Sequence, residues 1–188
     1  MIVLNDHEEN LEKATGEPDQ DIKNGFVNID GRKIPFSERV ISEKIKIILP
    51  TEYKQMEKRY IKVKYPAYKN KDMIILTNKD TTINFMFDFK DGYVEPDELE
   101  EIRDHLLDVL KEVHPTLVFL EKATIETDIL KIVYFEIVTP ALDKDIYNFM
   151  YFFIVNDNLV VATFNCFDDE KETWQPIIRQ VAESLQVV

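Results

Sequence analysis

The chain has 188 residues, of which 45% are hydrophobic and 31% charged, so one domain can bury roughly 70% of its unfolded surface without staples. Its net charge of −13 disfavours general nucleic-acid binding, four glycines are too few for a Gly-rich phosphate loop, and one cysteine excludes an internal disulfide. No long apolar run or basic leader is present, so the expectation is a cytoplasmic protein with no membrane span.

Residues 1–25 are acidic and polar, with Gly16 and Pro18 and no sustained period, and are expected to form a flexible arm. A single domain is expected over 26–188. Phe26 to Ile29, the Asp30-Gly31 pair and Arg32 to Phe36 read as a hairpin. Val40 to Leu49 alternates imperfectly up to Pro50 and reads as one strand. Thr51 is then placed to cap a short helix from Glu52 to about Arg59, with Tyr53, Met56 and Tyr60 at helical spacing. Lys62 to Tyr68 reads as extended, because Pro66 disfavours helix at Tyr65.

Met73 to Leu76 reads as a short strand and Asn78-Lys79-Asp80 as a turn. Ile83, Phe85, Phe87 and Phe89 alternate with Asn84, Met86, Asp88 and Lys90, which predicts a strand with one wet face. Pro96 and four acids open a helix whose apolar stripe is Leu99, Ile102, Leu106, Val109, Leu110 and Val113. Phe119–Thr127 and Leu130–Val138 read as two further strands.

Tyr147 to Phe164 is the most apolar stretch. Both alternating sets of its first strand are apolar or aromatic, so both faces should be covered. Asn156-Asp157-Asn158 supplies the turn, because Asn and Asp tolerate positive φ. A capping box at Asp169 and Glu172 is predicted to start a closing helix that carries Trp174, Ile177, Ile178, Val181, Ala182 and Leu185. Pro176 should kink that helix or end its first turn. The order of elements defines an α+β fold: an antiparallel sheet of about six or more strands flanked by helices, an α/β/α sandwich.

Several stretches together resemble the PsbP-like superfamily: ILPTEYKQM, VKYPAYKNKDMIILTNKDTTINFMF and TFNCFDDEKETWQPIIRQVAESLQV. That superfamily includes the extrinsic PsbP subunit of photosystem II, the Ran-binding nuclear import factor of yeast, DcrB-type bacterial proteins and chaperone-like adaptors of secretion effectors. The resemblance covers about residues 36–188. It implies an antiparallel sheet between helices and a non-enzymatic binding or chaperone role. No binding residue carries over, because neither the leader nor the basic segment Tyr53–Lys71 matches a family motif.

The residues themselves show no catalytic motif. His7, His105 and His114 have no second ligand at metal-binding spacing. Cys166 is followed by Asp168, Asp169 and Glu170, which oppose a thiolate. Glu98, Glu100 and Glu101 suit a helix start better than an acid/base pair.

One segment stands out by charge. Residues 51–71 hold seven bases and two acids, interleaved with Tyr53, Tyr60, Tyr65 and Tyr68. Tyrosine brings contact area with a polar handle, and cations suit an acidic partner. Tyr60, Lys62, Lys64, Tyr65, Tyr68 and Lys69 are therefore the candidate partner-binding residues. The alternative for this segment is that Tyr53 and Tyr60 enter the core while the lysines form a solvated face. The functional expectation is a bacterial-type, non-enzymatic protein-binding module: an adaptor, chaperone or inhibitor without cofactor, metal, nucleic acid or membrane. Two other readings stay open: a small-molecule or lipid carrier with a pocket at Phe149, Phe153 and Phe164, and an enzyme with an unrecognised site.

Overall fold

A computed structural model of the chain describes residues 21–66 and 73–188. Of the segment expected to be an arm, residues 1–20 lie outside the described residues. Ile22, in a short 3-10 turn at Ile22–Asn24, is buried, and its N–H donates to Gln180 Oε1 at 3.0 Å.

Eleven strands and three α-helices are present among the described residues. The first hairpin pairs β1 (Phe26–Ile29) with β2 (Arg32–Ile41) across Asp30-Gly31, both at positive φ. Such a pair twists in the same sense as the flanking strands. The strand expected from Val40 to Leu49 is instead a second hairpin. β2 runs on to Ile41, turns at Ser42 and Glu43, and returns as β3 (Ile45–Pro50). Ser42 and Glu43 both adopt positive φ, a conformation their composition does not advertise. β11 (Gln186–Val187) adds to β3, giving a four-stranded sheet.

The expected helix at Glu52 to Arg59 is displaced. Lys54–Gln55 is a two-residue strand, β4, and α1 occupies Lys58–Lys64. An extended chain lets Tyr53 and Met56 turn inward, where both are buried. That burial outweighs the helical spacing. Lys62-Val63-Lys64, expected to be extended, belongs to α1, and the helix ends at Tyr65 just before Pro66.

The main sheet has seven antiparallel strands in the order β4-β5-β6-β10-β9-β8-β7. They are β5 (Ile74–Thr77), β6 (Asn84–Tyr93), β7 (Val118–Glu126), β8 (Lys131–Thr139), β9 (Ile146–Val155) and β10 (Asn158–Phe167). The β9–β10 hairpin is central, with Asn156 and Asp157 at positive φ in a two-residue turn. β6 is covered on both faces, since Asn84, Met86 and Asp88 are buried along with Phe85 and Phe87. The wet face expected there is absent because α1 packs Ile61 and Tyr65 against Met86, Ile75 and Met56.

One face of the seven-stranded sheet meets α3 (Lys171–Glu183) and the small sheet. Trp174 lies 5.4 Å from Phe164 and 6.4 Å from Phe85, and Tyr134 stacks on Phe149 at 4.6 Å. The other face meets α2 (Leu99–Val113) through Leu99, Leu106, Leu107 and Leu110. Val109 and Val113, expected in that stripe, are exposed, and Arg103 and Leu107 take their place. α3 starts without a side-chain cap. A 3-10 turn at Asp168–Glu170 leads into it, and the helix continues through Pro176 to Glu183. Helices on both faces of an antiparallel sheet make this an α+β sandwich, with the second sheet as an added layer.

Candidate functional site

α1 is short and has no buried residue. Tyr60 is exposed with the Arg59 guanidinium 4.7 Å from its ring centre, and Val63 is 79% exposed. Lys62 is exposed. Tyr65 is half-buried, and its hydroxyl accepts from Asn165 Nδ2 at 3.4 Å. Burial pushes the Tyr65 pKa up against the opposing pull of that bond. The Lys64 ammonium donates to Thr81 O, and partial burial holds its pKa below the ordinary lysine value. Tyr68 and Lys69 lie outside the described residues. Of the paired alternative for this segment, Tyr53 is in the core and Tyr60 is not.

α1 contributes to two clefts. Tyr60 lines one of about 710 Å³ with Met56, Gln55 and the turn at Asn78–Lys79. Lys64 and Tyr65 line a second of about 460 Å³, shared with Asn84, Asn148, Asn165, Thr139 and the loop carrying Leu142 and Lys144. The structure thus gathers Lys64 and Tyr65 in one cleft and places Tyr60 in the other. The sequence reading missed Asn84, Asn148 and Asn165. Their signal was a polar residue at one register level of three adjacent strands, invisible until the pairing is known.

A separate polar cluster lies under α3. Glu136 is fully buried on β8 and accepts from Arg179 at 2.7 Å, Gln175 at 2.5 Å and Tyr147 at 3.0 Å. Arg179 also reaches Glu121 on β7 at 2.8 Å, and Tyr134 donates to Glu121 at 3.1 Å. Burial works against the Arg179 charge, but its bond to Glu136 together with the nearby Glu136, Tyr134 and Glu121 raises its pKa. Burial, reinforced by Glu136, raises the Tyr147 pKa, and burial takes Tyr134 to about 12. This cluster ties α3 to two strands and lines neither of the two clefts at α1.

Cys166 is fully buried, and burial with Glu170 and Asp168 pushes its thiol pKa up, so it is a poor nucleophile. Among the described residues no group of three His, Cys, Asp or Glu is placed to hold a metal. Phe149, Phe153 and Phe164 are fully buried, with Tyr134, Tyr151 and Trp174 against them at ring distances of 4.6–6.1 Å. None of the three, where a carrier pocket was expected, lines either cleft at α1. Among the described residues no helix is long and apolar enough to cross a membrane.

No protein-family model and no curated protein matches the chain. Solved structures do. The solution structure of cyanobacterial PsbP (CyanoP) from Synechocystis sp. PCC 6803 superposes with a TM-score of 0.61 at 9% identity, over 81% of this chain and 92% of that one. PA94 of Pseudomonas aeruginosa, a protein of unknown function, superposes at 0.50 and 9% identity, over 79% and 94%. The chain has the PsbP-like fold.

Proposed function

We propose that this chain is a non-catalytic, cytoplasmic protein-binding module, with Tyr60, Lys62, Lys64 and Tyr65 as its docking face for an acidic partner. Tyr68 and Lys69 extend that face in sequence. The observation that carries the proposal is the contrast at α1: an exposed, basic helix with a bare tyrosine and valine on a chain of net charge −13. A long exposed side chain with a polar end contributes binding energy when a partner desolvates it. The shifted groups Tyr147, Tyr151 and Cys166 lie in the core, away from this face, whereas Lys64 and Tyr65 are shifted at the face itself.

The test places a photo-crosslinking residue at Val63 and compares intact protein with the Tyr60→Ala/Lys62→Glu variant. One protein species crosslinked by the intact chain should be lost with the variant and weakened in 0.5 M salt. Equal crosslinking of intact protein and variant would remove the docking face.

A further inference from the structure

A row of polar side chains crosses the main sheet near one end of its central strands. In register, Thr77 of β5 faces Asn84 of β6, Asn84 faces Asn165 of β10, and Asn165 faces Asn148 of β9. Directly opposed residues on antiparallel strands project from the same face, so these four share one. Apolar residues would bury there without needing partners, whereas each amide must be satisfied. Three of the four are satisfied in one direction. Thr77 Oγ1 donates to Asn84 Oδ1 at 2.6 Å, Asn84 Nδ2 donates to Asn165 Oδ1 at 2.8 Å, and Asn165 Nδ2 donates to Tyr65. Asn148 breaks the run. Its Nδ2 donates to Thr139 Oγ1 and Ile146 O, both at 3.1 Å, and its Oδ1 accepts nothing from a described residue.

Asn148 lines the smaller cleft together with Lys64, Leu142 and Lys144. The two cations differ. Lys144 is paired with Asp169 at 2.6 Å, while Lys64 has no carboxylate partner among the described residues and donates to a carbonyl. Leu142 is fully exposed at the rim. Among the described residues the cleft therefore offers a cation without an ion pair, an amide oxygen that accepts no hydrogen bond and an apolar contact, beside one lining carboxylate, Asp143. Lys62 and Lys58, four residues apart on another face of α1, add positive charge to the helix outside the cleft. Cations spread over one short helix suit a segment with more than one carboxylate better than a single small anion.

We propose that this cleft receives an extended acidic segment of the partner protein. One of its carboxylates rests on Lys64, a main-chain N–H donates to Asn148 Oδ1, and an apolar side chain covers Leu142. The proposal rests on the docking-face reading and names the chemistry that the face selects. Asn148 Oδ1, which accepts from no described residue, matches the free N–H that an extended chain presents at alternate residues. A carboxylate would also relieve the unfavourable burial of the Lys64 charge.

The experiment uses the full chain with isotope-labelled side-chain amides, titrated with two acetylated, amidated hexapeptides, Gly-Leu-Glu-Leu-Glu-Gly and its Gln-for-Glu counterpart. The Glu peptide should shift the Asn148 amide resonances, and the Gln peptide should bind at least about tenfold more weakly, the loss of one charge-assisted bond. Lys64→Gln should weaken the Glu peptide about tenfold and Asn148→Ala about fivefold. Asn148→Asp, nearly isosteric, should abolish binding while the amide spectrum elsewhere is kept. No binding by the Glu peptide, equal binding by both peptides, or shifts that spare Asn148 would overturn the cleft assignment. So would the same shifts produced by salt alone, which would give the cleft to the chain's own acidic residues 1–21. If Asn148→Ala keeps crosslinking at Val63 while Tyr60→Ala/Lys62→Glu loses it, the module stands and the cleft falls. If both variants lose it, one partner engages docking face and cleft together; if both keep it, the two readings fail as one.

Discussion

The two faces of the main sheet are built on different rules. Under α3, aromatic rings interlock at 4.6–6.5 Å, and the one buried charge cluster has each carboxylate bonded. Under α1, the contact is a few methionines, an isoleucine and a tyrosine, and a row of amides takes the place of the rings. The first arrangement is what a fold needs in order to stand. The second gives up apolar burial for directed hydrogen bonds and leaves cations outside. Binding surfaces are drawn from regions that the fold can do without.

The largest expected break is Trp174→Ala, which should cost about 3–5 kcal/mol by emptying the seam between α3 and the sheet. Urea denaturation measures it. Arg179→Leu should cost about 3 kcal/mol, because it strands a buried Glu136. Adding Glu136→Leu to it should recover most of that loss, since an apolar pair needs no compensation. A double variant no more stable than Arg179→Leu alone would mean that Tyr147 and Gln175 depend on the carboxylate.

Alkaline titration probes the same side. Burial raises the Tyr134 pKa to about 12 and raises that of Tyr147 and Tyr151 as well. The unfolded chain loses these protons near pH 10 while the folded chain keeps them. Below pH 10 their contribution is therefore fully present, and stability should fall steadily from pH 10 towards 12. Thermal midpoints across that window check the sign; a rise would contradict it.

On the α1 side the effects should be smaller. Asn165→Ala should cost about 1–2 kcal/mol, because it leaves Asn84 with one bond fewer in a buried place. Tyr60→Ala and Lys62→Glu should each change stability by less than about 0.5 kcal/mol. If those two cost as much as Trp174→Ala, the contrast between the faces would disappear.

What could be read in the sequence follows the same division. The β9–β10 hairpin was legible because Asn156-Asp157 announces its turn and its strands are apolar on both sets. The Asp30-Gly31 hairpin was legible for the same reason. The β2–β3 hairpin was not, since Ser42 and Glu43 take positive φ without the Gly or Asn that signals it. α1 was misplaced because burial of Tyr53 and Met56 from an extended chain imitates helical spacing. Lys64 and Tyr65 stand out in the sequence by local charge and aromatic content, and both line one cleft. Asn84, Asn148 and Asn165 are 64 and 17 positions apart in sequence and are united only by strand register, so no local window contains them. The link from Glu136 to Arg179 spans 43 positions and is hidden in the same way.

Trp174 is the only tryptophan in the chain, and it lies in the α3 seam among Phe85, Phe164 and Tyr53. Its emission is therefore a built-in gauge of whether that seam is closed. Quenching or a red shift would report water entering beside Phe164. A ligand arriving at Lys64 or Tyr60, on the other face of the sheet or at its edge, would leave the signal unchanged. Light emitted by one ring thus separates loss of the fold from occupancy of the surface.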